Sequence, residues 1–198
     1  MHQMPCADVA FVTDVEGNLN FFTRWVQSSR VLVFEAGRLD FVHEHAYFVY
    51  GGDVMDKGPG GVRLARLLVS LKRRYPERVR LLVGNRDLNK LRFTAELGEA
   101  DMARPVDDIP CMPWDTVCLR EHLERVATAS GLKLEEVNTQ PERLRYMLQH
   151  TLGCPDSFEL RREEVALERS CELAEVTDDE VVEHFVDDIT AGRGGALR

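Results

Sequence analysis

The sequence predicts an α/β region over residues 1–98 followed by a mainly helical region over 99–198, packed as an insertion on the same domain. Three observations carry that expectation. Apolar runs at 9–12, 46–50 and 79–83 have strand length, and each ends in a loop of acidic or amide residues. Helical periodicity fills the intervals between them. Beyond residue 99 the strand-like runs stop, and segments near 115–130, 141–152, 157–175 and 178–190 have helical patterning.

The first apolar run, Val9-Ala10-Phe11-Val12, reads as a buried strand feeding the polar cluster Thr13-Asp14-Val15-Glu16-Gly17-Asn18. Leu19, Phe22, Trp25 and Val26 recur at helical spacing behind Asn18, a candidate N-cap. Two short runs at 31–34 and 39–42 flank Glu35-Ala36-Gly37-Arg38, the pattern of a hairpin. The aromatic-rich run 46–50 leads into Gly51-Gly52-Asp53. Val62, Ala65, Leu68 and Leu71 mark an amphipathic helix that stops near Tyr75-Pro76. The run 79–83 leads into Gly84-Asn85-Arg86-Asp87. Ligands gather at the carboxyl ends of strands in open α/β sheets, so the three loops should converge.

Composition narrows the function classes. With 25 basic and 34 acidic side chains the net charge is −9, which disfavours general nucleic-acid binding. The chain has no signal-like N-terminus and no stretch of membrane-span length, so a cytoplasmic location is expected. Five scattered cysteines without a C-x-x-C pair suggest reduced thiols, buried as small hydrophobes, rather than a zinc cage. Trp25 and Trp114 are expected to be packing anchors. The acidic cluster 172–180 reads as a solvated helix face, and Gly192-Arg193-Gly194-Gly195 as a frayed end or linker.

Asp14, Glu16, Asp53 and Asn85 supply oxygen donors at three strand ends, a set suited to Mg, Mn, Fe or Zn. Asp53, on the central loop, is the natural bridging ligand for two ions that would activate water for phosphoryl displacement. Lys90 and Arg92 suggest a solvated helix face. His43 and His45 have the spacing of one strand face but lie far in sequence from the other ligands.

The ordered blocks Asp14-Val15-Glu16-Gly17-Asn18, Gly52-Asp53-Val54-Met55-Asp56-Lys57-Gly58-Pro59 and Gly84-Asn85-Arg86-Asp87 resemble the successive signatures of calcineurin-like metallophosphoesterases. The middle block is closest to that of protein serine/threonine phosphatases, and the resemblance spans about residues 7–92. It implies the N-terminal half of a two-sheet sandwich, a divalent-metal centre with two ions when complete, a phosphorylated protein or small molecule as substrate, and Lys57 and Asn85 as residues that stabilise the developing charge on phosphate. Two positions depart from the family. Glu16 stands at a metal-ligand histidine, and Arg86 at the histidine that protonates the leaving oxygen. Arginine holds its proton near neutral pH, so Arg86 suits a bidentate phosphate contact instead. The family's second middle-block aspartate orients that histidine, so Asp56 is expected to pair with Arg86. The family's later histidine ligands have no strand-borne counterpart: His122, His150 and His184 fall in helical contexts. That pattern suggests an N-terminal portion of a longer protein. Three readings follow: a metal-dependent phosphoesterase, an inactive scaffold binding a protein through its helical half, or a chain that self-associates through an open sheet.

Overall fold

The computed structural model describes residues 7–113 and 115–190. Cys6, Trp114 and the glycine-rich stretch 192–195, on each of which a sequence expectation rests, lie outside the described residues. The protein is mixed α/β and divides into two compact units, one reaching Leu88 and the other beginning at Asn89.

The first unit holds strands β1 (Asp8–Val12), β2 (Leu32–Glu35), β3 (Arg38–Phe41), β4 (Ala46–Tyr50) and β5 (Val79–Leu81), with helices α1 (Leu19–Ser28) and α2 (Gly61–Arg74). β1, β4 and β5 form a parallel sheet in the order β1-β4-β5, with Val12 opposite Tyr50 and Tyr50 opposite Leu81. Helix α1 starts where expected: the Asn18 side chain accepts the Phe21 N–H at 3.0 Å. β2 and β3 form the antiparallel hairpin. Its two connecting residues, Ala36 and Gly37, both have positive φ, as a primed turn requires.

Side chains alternate across the sheet. Phe48, Tyr50 and Val79 are fully buried on one face, where Trp25 of α1 meets Phe48 with ring centroids 5.9 Å apart. On the other face Val9 is 62 % exposed and Phe11 57 % exposed. The expectation of a strand buried on both sides therefore fails for β1. An unbroken apolar run does not reveal whether one or both faces are covered. His43 and His45 lie in the turn between β3 and β4 rather than on a strand, and His43 Nε2 is 3.0 Å from Asp8 Oδ2.

At Asn85 a short helix α3 (Asn85–Asn89) begins immediately after the third loop. The second unit continues with α4 (Phe93–Glu96), α5 (Glu99–Met102), α6 (Leu119–Ser130), α7 (Leu134–Val137), α8 (Gln140–Tyr146), α9 (Ser157–Arg169) and α10 (Asp178–Ile189). A π turn, Met147–Thr151, extends α8. Its core includes Leu123, Leu144, Phe158 and Val181, and Phe93 meets Phe185 edge-on. Among the described residues no helix is long and apolar enough to cross a membrane.

Three local expectations are corrected here. Lys90 is 1 % exposed, so the solvated face does not hold for it, and Arg92 is engaged by Glu96. The segment 157–175 is not one helix: α9 stops at Arg169, because Ser170 adopts a left-handed conformation with φ 54°. The acids that follow are largely exposed, as expected of a solvated face, and some also serve as caps and ion-pair partners. Glu180 closes a capping box with Thr177, and Asp178 pairs with Arg145 and Arg162. Finally, Cys111 and Cys118 form a disulfide across seven positions, contrary to the reduced-thiol expectation. Cys154, buried, and Cys171, half-buried, are not in disulfides.

Candidate functional site

The first unit brings the three strand-end loops together through their backbones. After β1, the Asp14 N–H donates to the Gly52 carbonyl at 3.1 Å, Glu16 N–H to Asp53 O at 3.1 Å, and Gly17 N–H to Val54 O at 2.7 Å. The middle loop answers with Lys57 N–H donating to Glu16 O at 2.8 Å. Parallel pairing of β1, β4 and β5 places these loops at the same sheet edge, as expected from the sequence.

The third loop is fastened by Asp87. One carboxylate oxygen accepts the N–H groups of Asp53 at 2.8 Å and Gly84 at 3.0 Å, and the other accepts Val54 N–H at 3.0 Å. Asp53 returns the contact, its Oδ1 accepting the Arg86 N–H at 3.0 Å. The approach is so close that a Cβ on Gly84 would stand 2.0 Å from Asp53 Oδ1 and 2.4 Å from Asp53 N. Only glycine is accommodated there.

Backbone strain concentrates in this place. Asp14, Glu16, Asp53 and Asp56 all have positive φ, at 53°, 51°, 56° and 107°. Left-handed backbone costs an ordinary L-residue roughly 1–2 kcal/mol. Such conformations persist only where surrounding contacts over-determine them, and they gather at functional sites. Asp53 and Asp56 are moreover buried.

The electrostatics divide into two parts. Burial pushes the Asp53 carboxyl above its usual range. The Arg86 N–H opposes this, while the charges of Asp87 and Asp14 add to it. Tyr50 lies beneath: burial raises its hydroxyl, and the carboxylates of Asp87, Asp14 and Asp53 raise it further. Beside this acidic group sits an ion-paired one with a positive excess. Glu16 holds Lys57 Nζ at 2.8 Å through one oxygen and Arg86 Nε at 3.2 Å through the other.

The geometry thus unites Asp14, Asp53 and Asp87 in one electrostatic cluster, and Glu16, Lys57 and Arg86 in another. Asn85 stands between Gly84 and Arg86, whose N–H groups are both tied to the Asp53–Asp87 pair. Lys57 and Arg86, expected from the sequence to face a substrate, both meet Glu16. His43 and His45 take no part in these contacts. Asp87 was present in the quoted block without a role; the only signal for it was an acid closing that block.

Among the described residues no group of three or more His, Cys, Asp or Glu side chains converges to hold a metal ion. Asp14, Asp53 and Asn85 nevertheless carry hard oxygen donors, the kind that suits a divalent cation. The raised carboxyl of Asp53 fits that use, because a nearby cation relieves the repulsion from Asp14 and Asp87. Glu16, the fourth expected ligand, is engaged by two side-chain cations.

Carboxylates at the ends of parallel strands, on interlocked and strained loops, define an α/β protein with a strand-end acidic site. A model of the calcineurin-like phosphoesterase family matches residues 7–181, and the chain belongs to that family. The match extends well past the three motif blocks into the helical unit. It places the chain in a superfamily of metal-dependent phosphoester hydrolases. No curated protein and no solved structure matches the chain.

Proposed function

We propose that the chain hydrolyses a phosphate ester with a divalent ion held by Asp14, Asp53 and Asn85. The observation that carries this reading is the buried Asp53 carboxyl, destabilised as an anion beside Asp14 and Asp87 in loops of left-handed backbone. A cation offsets both costs. When bound, it supplies Lewis-acid polarisation and acidifies a water.

The chain's own residues have distinct parts in this reading. Asp87 keeps the middle and third loops in register. Lys57 and Arg86 give positive charge to the phosphoryl group, exchanging part of their contact with Glu16 for contact with phosphate. Arg86 retains its proton, so the leaving oxygen takes its proton from water. Asp56, buried at the end of the strained middle loop, is the positioning residue for Arg86.

A second reading is an inactive scaffold that binds a protein partner. Its support is the Glu16–Lys57–Arg86 cluster: where the family places two histidines, this chain has an acid and an arginine that neutralise one another. The exposed apolar face carrying Val9 and Phe11 also supports contact with a second surface.

The two readings separate in one assay. The purified chain is incubated with Mn, Mg, Zn or Fe(II) and offered para-nitrophenyl phosphate and its diester. Turnover that disappears in Asp53→Asn supports hydrolysis. Absence of turnover with every ion, in a chain that is folded, overturns it in favour of the scaffold.

A further inference from the structure

The helical unit contains a cavity of about 150 Å³ lined by Ile109, Pro110, Met112 and Asp115 and by residues of helices α5, α6 and α8. That is the size at which an engineered apolar cavity admits benzene. Its wall is partly apolar, including Ile109, Met112 and Leu119, and partly charged.

Two arginines line it, and each carries one buried donor that has no acceptor among the described residues. Arg143 is 2 % exposed. Its Nε donates to Asn138 Oδ1 at 2.8 Å and its Nη1 to the Asp101 carbonyl at 3.0 Å, while Nη2 is buried without a hydrogen bond. Arg92 binds Glu96 through Nε and Nη2, and its Nη1 is likewise buried without an acceptor. Buried donors of this kind are costly and call for a specific explanation. Burial lowers the pKa of Arg143; Asp101 opposes that shift and Arg104 adds to it.

We propose that this cavity is a binding site for a small carboxylate carrying a short apolar body. Its carboxylate accepts from Arg143 and Arg92, and its body packs against Met112 and Leu119. The charge balance selects a monoanion. Arg92, Arg104 and Arg143 are met by Glu96, Asp101 and Asp115, and Asp115 already accepts from Tyr146, Thr151 and the Met112 N–H. A phosphate dianion would bring twice the charge against three resident carboxylates. The Cys111–Cys118 disulfide closes the segment that carries Met112 onto the start of α6, holding this wall in place. The proposal is independent of the strand-end site.

The test is a chemical-shift titration of the full chain with butyrate, benzoate and inorganic phosphate. Saturable binding of a carboxylate is expected, weakened about tenfold or more in Arg143→Met and in Arg92→Met, as for loss of a charge-assisted hydrogen bond. Should Arg143→Met fail to fold, the half-buried Arg92→Met decides alone. Three results would overturn the proposal: no saturation with either carboxylate, as for a cavity that holds only water; saturation with phosphate in their place; or unchanged carboxylate affinity in the folded variants.

Discussion

The Asp87 carboxylate accepts the backbone N–H of Asp53 at 2.8 Å, and through that bond the third loop fixes the residue at the centre of the site. The same side chain also takes the N–H groups of Val54 and Gly84. Replacing it leaves three donors in two loops without their acceptor. Asp87→Ala should lower stability by about 3 kcal/mol, at the upper end for loss of charge-assisted hydrogen bonds to backbone donors. Denaturant titration measures this; a loss within about 0.5 kcal/mol, the size of an ordinary surface substitution, would mean the clamp is unimportant.

Gly84 and Gly37 offer a matched comparison. Gly84→Ala drives a Cβ to 2.0 Å from Asp53 Oδ1, so the loop must move. Gly37→Ala meets nothing within 4 Å and carries only the conformational cost of φ 77°. The expected losses are about 3 kcal/mol at Gly84 for forced overpacking and about 1 kcal/mol at Gly37. Equal losses in thermal unfolding would contradict the close approach at Gly84.

Much of this arrangement is legible in sequence. Asn18 announces the start of α1, Ala36-Gly37 the hairpin turn, and three apolar runs the strands whose ends carry the loops. Those are local signals, each complete within a few residues. The function of Asp87 is not local. Its acceptor oxygens serve backbone groups on two loops separated by some thirty positions, and backbone donors leave no trace in residue identity. The Cys111–Cys118 disulfide escapes for a related reason: its spacing belongs to no metal or redox motif, and only the path of the intervening segment brings the sulfurs together. The burial of Lys90 likewise depends on tertiary packing, which helical periodicity does not specify.

Glu16 pairs with both Lys57 and Arg86, so removing its charge should release both for anions. Glu16→Gln is expected to tighten binding of inorganic phosphate by roughly three- to tenfold, most of it through the largely buried Arg86 rather than the exposed Lys57. Equilibrium binding of phosphate at fixed ionic strength provides the check. Weaker binding in the variant would show that the carboxylate organises the anion site rather than screening it.

His150 in the helical unit gives a pH dependence of definite sign. Burial holds its pKa below the ordinary histidine value of 6.5, with His122 and Arg125 adding to the effect, while Asp115 and Glu121 oppose it. The folded chain therefore binds fewer protons here than the unfolded chain. Its contribution to stability is complete above the ordinary histidine value and is lost as pH falls through it. His150→Gln should flatten the fall in stability between about pH 7 and 5. An unaltered slope in urea melts across that range would contradict the assignment.

The central claim is that Asp14, Asp53 and Asn85 hold a divalent cation, and metal content tests it most directly. The purified chain and its Asp53→Asn variant are incubated with Mn, Fe(II) or Zn, freed of unbound ion and assayed for metal per chain. The account predicts about one ion per chain, as for a hard site completed by water, and its loss in Asp53→Asn. A folded chain that takes up no ion, or a variant that keeps it, would contradict the account.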